Sequence, residues 1–488
     1  MIGKKLVKIL QTLDPAAFRR LGDAFASPYF TRSALLLKLY NILKKEYPGF
    51  EVSRLNKEKV FNALFPEKPF NDGLLRVFVH EFTKITEDFL LFESFKNDDN
   101  VRQKLLTQWY GDHNMYAEFQ KGTQAMLAQL EKKPYRDVEY FSAAKGLYIS
   151  YFFHMLTEKY TINDEVLTRL MECVEGEYVL LNLRLTSEMK NREHILAKQY
   201  EPSLLNEVRT ADTLGVLQNN VPFLLYRKLL MIHETDGHQE DFQIFKALLF
   251  QHIEQLRYFD QSMLLTQIIN YAIRQMNKGY GEYKQEVFNL YQLALKHQLV
   301  LSNGKIEITV YQNIVSSGCK ANEFSWTEQF IHEYAAFLED DIREEGTSIA
   351  LALLYFHESY FDRTIEMIRE RRFSNVILQM NMRLLLTKAW FEKFVQDHSY
   401  YDLLISQLET NEKFIRRNTV ISKAKKEGNL NFFIIVKHLV EMFTNKRPTS
   451  DIRSWFEKRV SANQHVLAKE WLYLKIDEYE MKQRPHFH

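Results

Sequence analysis

Glycine and proline are scarce in this chain. Among 488 residues there are 16 glycines and 10 prolines, roughly 3% and 2% against typical shares near 7% and 5%. A β-sandwich or a dinucleotide-binding α/β chain of this length would need far more glycine at its turns. With Leu, Lys, Glu and Gln abundant, the composition predicts long helices joined by short connections. Cysteine is nearly absent too: Cys173 and Cys319 stand far apart, so no disulfide framework is built and a reducing, cytoplasmic setting is expected. No run approaches ~18 uncharged apolar residues, so no membrane span is expected. The basic start "MIGKKLVKILQTLDPAAF" is interrupted by Lys8, Gln11 and Asp14 before it reaches signal-peptide length. Charge of one sign is lacking as well. The formal net charge is +1, which removes any global electrostatic case for nucleic acid. Residues 1–50 carry nine Lys/Arg against three Asp/Glu, and residues 51–100 seven against ten; a basic entry helix of this kind reads as a solvated face.

What the chain does have is helical periodicity almost throughout. In "SALLLKLYNILKKEY" (33–47) Leu35, Leu36, Leu39, Ile42 and Leu43 form one apolar face; Ser33 is placed to cap it and Pro48-Gly49 to end it. Lys133-Pro134 precedes an aromatic helix at 138–160. Asn163-Asp164 is placed to cap a long helix running to about Lys198, closed by Pro202. The best strand signal is "LVLSNGKIEITV" (299–310), where Asn303-Gly304 suits a tight hairpin, and a loop between helices fits as well.

From 240 to 420 helix pairs recur. An apolar helix, a short turn with a nearby aromatic (Tyr280, Phe324, Tyr360, Tyr400) and an amphipathic helix follow one another. The turns, at Gly279, Asn322, Ser359 and Ser399, are spaced ~37–43 residues apart, and a unit of that size buries its apolar face only against neighbours. "LALLYFHESYFDRTIEMI", with Ala350 and Ala352 in the first helix and Tyr360-Phe361 in the turn, resembles a tetratricopeptide-type repeat. The unit is longer than the ~34 residues of that family and lacks its Trp-Leu-Gly-Tyr signature. The resemblance implies an all-α solenoid of stacked antiparallel helix pairs that binds proteins. The expected divisions are an N-terminal helical domain (1–95), a middle region of long helices (96–239), repeats (240–420) and C-terminal capping helices (421–488). Within the last repeat Leu386, Trp390 and Phe394 lie at i, i+4 and i+8, a face expected to be core.

"RLNKEKVFNALFPEKPFNDGLLRVFVHEFTKI" (54–85) resembles part of the winged-helix domain of bacterial transcriptional activators, where an aromatic-Pro turn precedes a recognition helix. That resemblance implies a nucleic-acid-binding regulator as the alternative function. The chemistry of the second helix argues against base reading: Arg76, His80 and Lys84 form a cationic stripe, but Glu81, Glu87 and Asp88 would face a polyanion. No strands or wing follow, and Val77, Phe78, Phe82, Ile85 and Phe89 form an apolar stripe expected to be core.

Catalytic, cofactor and metal motifs are not found. "HETDGH" places His233 and His238 at i, i+5, whereas a zinc-binding helix needs i, i+4; it reads as a solvated helix end capped by Asp236, and "PHFH" at the end as a tail. Cys173 and Cys319 read as small buried hydrophobes. Asp340-Asp341 and Glu344-Glu345 are adjacent pairs that do not face each other on a helix, so no carboxylate dyad is expected. The one candidate partner surface is basic: Arg416, Arg417, Lys423, Lys425 and Lys426 in "NEKFIRRNTVISKAKKEGN". Gly428-Asn429 is expected to break the chain before the capping helix "LNFFIIVKHLVEMF", and Arg416 and Arg417 suit a helix C-terminus. The expected function is a non-catalytic scaffold that binds a protein partner.

Overall fold

The computed structural model describes residues 3–50, 55–155, 157, 165–195, 199–201, 215–235, 239–369, 371, 376–418, 423–444, 452–461 and 465–483. They form an all-α protein whose one strand pair, among the described residues, is the hairpin Leu301–Ser302 with Lys305–Ile306. Two compact units exist: Met1–Pro134 with Ser142–Cys173, and Tyr135–Phe141 with Val174–His488. Among the described residues no helix is long and apolar enough to cross a membrane. The expected cap at Asn163-Asp164, the stop at Pro202, the Asp236–His238 segment and the "PHFH" tail lie outside the described residues.

In the first unit, α1 (Lys4–Gln11), α2 (Pro15–Ala26), α3 (Ala34–Lys44), α4 (Lys57–Leu64) and α5 (Asp72–Asn97) close around one core that includes Leu10, Phe18, Leu21, Leu39, Phe61 and Phe82. Side chains define most helix starts: Asp14 accepts from the Ala17 amide at 2.7 Å with Pro15 at the first position, and Asn56 and Asn71 cap α4 and α5. Ser33 stands at the start of α3, but its hydroxyl makes no capping bond. On α5 Phe82, Ile85 and Phe89 are buried as expected. Val77 is not: it is exposed, because Leu75, two residues earlier and so on the opposite side of the helix, takes the inward position. Helices α6 (Asp99–Asp112) and α7 (Tyr116–Lys132) follow and pack together.

Helices α8 (Val138–Phe152) and α9 (Glu165–Ile195) lead into the second unit. After them come α10 (Val221–Thr235), α11 (Gln239–His252), α12 (Tyr258–Asn277), α13 (Tyr283–Lys296), α14 (Ile308–Lys320), α15 (Phe324–Tyr334), α16 (Arg343–His357), α17 (Phe361–Arg369), α18 (Val376–Gln396), α19 (Tyr401–Arg417), α20 (Lys423–Phe443), α21 (Ile452–Ser461) and α22 (Lys469–Gln483). From α12 to α20 each helix packs on the next, and α14, α16, α18 and α20 also pack on one another in series. Trp390 is half-buried where two core clusters meet, against Tyr400, while Leu386 and Phe394 on the same face are buried. So that face is core, with the indole at its edge.

The turns obey one geometry. Gly279, Asn322 and Ser359 all have positive φ, at 103°, 62° and 64°. In each, the following N–H reaches back five residues: Tyr280 to the Gln275 carbonyl, Glu323 to Gly318 and Tyr360 to Tyr355, at 3.3, 2.9 and 2.8 Å. This is the Schellman closure of a helix end. The fourth turn differs: Asp397 accepts from the Ser399 amide and starts a short 3₁₀ turn, His398–Tyr400. In the hairpin Asn303 and Gly304 both have positive φ, the requirement of a type I′ turn.

The expected break at Gly428-Asn429 does not occur. Helix α20 runs through both residues, and both are buried. A glycine is needed there for space: a Cβ on Gly428 would stand 3.3 Å from Leu467 Cγ, and the Leu467 amide bonds the Gly428 carbonyl. Gly318 is closer still to its neighbour, since an added Cβ would run into Thr327 Oγ1 on α15. Alanine is the better helix former by about 1 kcal/mol, yet Gly318→Ala is expected to destabilise by about 1–3 kcal/mol through overpacking. Urea denaturation measures the sign; a stabilised variant would remove the close approach of α14 and α15.

Candidate functional site

Within the second unit, α9 has two unlike faces. Between Val174 and Lys190 the exposed side chains are Val174, Tyr178, Leu181 and Leu185, and all four are apolar, 41%, 42%, 38% and 48% exposed. Their 4-3-4 spacing is that of a helix seam that meets another helix. Exposed apolar groups are ordinary when scattered. A row of four neighbouring large hydrophobic side chains, with the Tyr178 hydroxyl as its one polar group, is not.

The opposite face explains why this stripe points outward. It carries Leu180, Leu183, Arg184, Ser187 and Asn191, all buried. Gly176 lets the start of α8 approach: a Cβ there would stand 2.9 Å from the Phe141 ring. Arg184 then ties three other elements to α9. It donates to both Glu139 oxygens at 2.8 and 3.2 Å, and its Nη2 forms an ion pair with Asp260 Oδ1 at 2.9 Å. Tyr226 of α10 donates to the same Asp260 oxygen at 2.6 Å, and the Arg184 guanidinium lies 4.9 Å from the Phe259 ring centre. Arg257 holds both oxygens of Asp137 at 2.6 and 3.1 Å, while Asp137 Oδ1 caps α8 by accepting from the Tyr140 amide at 2.8 Å.

Burial opposes the Arg184 charge, but the Glu139 hydrogen bonds and the nearby Asp260 charge outweigh it, so its pKa lies above the ordinary value. Glu139 is likewise penalised by burial and, through Arg184, held below its ordinary value. Asp260 goes the other way: burial raises it, and Arg184 and the Tyr226 hydrogen bond offset only part of that. Asp137, Glu139 and Asp260 bring carboxylate oxygens within 4.8 Å of one another, the spacing of a cation site. Two guanidiniums take both oxygens of Asp137, both of Glu139 and one of Asp260, and Asp260 Oδ2 is left buried without a hydrogen-bond partner among the described residues. With five of the six carboxylate oxygens facing guanidinium groups, the cluster reads as an ion-pair joint that fixes α9.

The basic residues read from the sequence are brought together only in part. Arg416 and Arg417 are exposed at the C-terminal end of α19, where the helix dipole favours them. Lys426 is half-buried in the first turn of α20, a helix start where cations are disfavoured. Lys423 and Lys425 open the same helix, and their side chains lie outside the described ones, as do residues 419–422. His233 is not a solvated helix end: it is buried, its Nδ1 lying 3.4 Å from an Arg274 nitrogen. Cys173 and Cys319 are buried and not disulfide-bonded, and burial pushes the Cys319 thiol up to about 12, far from a thiolate nucleophile. Asp340 pairs with Arg343 and Glu344 with Arg371, so neither adjacent acid pair forms a dyad.

The α9 stripe and the Arg184 joint were not read from the sequence. An arginine on the apolar side of a long helix, between Leu183 and Ser187, is the signal that could have found the joint. Comparison with protein-family models, with curated proteins and with solved structures gave no match.

If the joint positions α9, Arg184→Met leaves Glu139 and Asp260 buried without their cation, at an expected cost of about 3–5 kcal/mol. Adding Asp260→Asn should recover part of that. Denaturant melts of both variants decide it, and a silent single substitution would show that the joint does not hold the helix.

Proposed function

We propose that this chain is a non-catalytic protein-interaction scaffold, acting in the cytoplasm, that presents the α9 stripe to a helix of a partner protein. The observation that carries the reading is the stripe itself. The exposed positions of α9 between Val174 and Lys190 are Val174, Tyr178, Leu181 and Leu185, at coiled-coil spacing, on a helix anchored from behind by the Arg184 ion pairs. Burying each large aliphatic side chain against a partner contributes about 1.5–3 kcal/mol before association costs are met.

The series of helix contacts from α12 to α20 and the matching turns at Gly279, Asn322 and Ser359 support a stack of antiparallel helix pairs of the tetratricopeptide type from about 240 to 420. Such a stack is a scaffold architecture; it does not name a reaction. The nucleic-acid alternative has less behind it. The cationic stripe of α5 borders a groove of about 390 Å³ against α1. Within it Asp72 engages Lys57 and Arg76, and Glu87 engages Lys5. Those carboxylates neutralise the charge that phosphates would need.

Leu181→Glu with Leu185→Glu tests the scaffold. Both positions are exposed, so stability should change by no more than about 0.5 kcal/mol per site. Partners recovered with the wild-type chain in an affinity capture should be lost. Equal recovery by the double variant, at an unchanged melting temperature, would overturn the assignment of this face.

A further inference from the structure

The joint behind α9 holds one acid too many. Three carboxylates, on Asp137, Glu139 and Asp260, bring oxygens within 4.8 Å of one another, and two guanidiniums, on Arg184 and Arg257, face them. Glu139 and Arg257, one charge of each sign, are half-buried. Of the three charges closed off from water, two are acids, Asp137 and Asp260, and one is Arg184. The cluster is therefore one positive charge short whether or not the half-buried pair is included. Arg136, next to Asp137 in the chain, lies over the Tyr140 ring, 4.3 Å from its centre.

The surplus falls on Asp260. Asp137 has both oxygens on Arg257 and accepts the Tyr140 amide as well, and Glu139 has both oxygens on Arg184. Each guanidinium thus already has a bidentate carboxylate. Asp260, in the first turn of α12, is 0% exposed. Its Oδ1 faces the Tyr226 hydroxyl at 2.6 Å and Arg184 Nη2 at 2.9 Å, while its Oδ2 has no partner among the described residues. A buried oxygen that carries charge and receives no donor costs more than the same oxygen carrying a proton. The start of α12 favours an anion, but by less than taking an ion out of water costs.

We infer that the joint is a proton switch: Asp260 Oδ2 takes up one proton, so that two guanidiniums face two carboxylates, and releases it as pH rises, which leaves a surplus anion among the helices that hold α9. The direction of its titration agrees. Burial, with Glu139 and Asp137 adding repulsion, holds Asp260 above the ordinary carboxylate value, and Arg184 and the Tyr226 hydrogen bond offset only part of this. A carboxyl raised in the folded state contributes stability that is present below its unfolded value, about 4, and is lost as pH rises through the folded value.

Urea melts of the wild type and of Asp260→Asn between pH 4 and pH 8 test the switch. The amide keeps the shape of the acid and cannot ionise. Wild-type stability should fall relative to the variant as pH rises, with a slope of up to one proton, and the difference should level off once Asp260 is ionised. Tyr226→Phe removes a hydrogen bond to the ionised form, so the midpoint of the wild-type fall should move to higher pH. Infrared spectra of chain labelled with ¹³C-aspartate give a direct reading. The carbonyl stretch of a protonated aspartic acid should be present at pH 5, absent at pH 8 and missing from Asp260→Asn. Parallel stability curves for the wild type and Asp260→Asn, or a wild type without that band at pH 5, overturn the switch. If Asp260→Asn does not fold, the wild-type band and the Tyr226→Phe midpoint decide. Each of these measurements is made on the isolated chain, so the outcome is independent of whether the α9 stripe captures a partner.

Discussion

A guanidinium removed from water must find its charge balanced within reach, and in the second unit Arg184 imposes that condition on four helices at once. Glu139 at the start of α8, Asp260 at the start of α12 and Tyr226 on α10 all converge on it. Because a buried ion is tolerated only when its hydrogen bonds are made, each of these elements has one permitted position relative to α9. Apolar packing around Leu180, Leu183 and Leu229 is less demanding, since it accepts small slides and rotations that a bidentate contact does not. The direction in which α9 shows its outer face follows from that joint.

The joint is not complete. Arg184 Nε and Asp260 Oδ2 are both buried without a hydrogen-bond partner among the described residues, so part of the cost of taking the two groups out of water is not offset. The bidentate contact with Glu139 and the Tyr226 hydrogen bond to Asp260 carry the arrangement, which reads as architecture.

Much of the architecture could be read directly from residues, and the failures are instructive. Asn303-Gly304 and the turn at Gly279 were legible because a left-handed backbone selects few residue types. Helix phases in 33–47 were legible from apolar spacing. Gly428 was misread because the same residue serves two ends: it breaks helices, and it also makes room inside them for a neighbour such as Leu467. Val77 was misplaced because periodicity gives a face without its exact centre. The sites were hidden for another reason. Arg184, Glu139 and Asp260 lie on different helices, and no local pattern records which distant residues a fold will bring together.

The three left-handed turns have a consequence for how this chain can vary. Each closes its helix with bonds drawn from that helix's own last turn, so it depends on nothing upstream. A segment can then gain or lose residues without passing the change on, because the chain direction is reset at every closure. The unequal spacing of Gly279, Asn322 and Ser359 is what such insulated segments produce, and insertions or deletions between these points are absorbed where they occur.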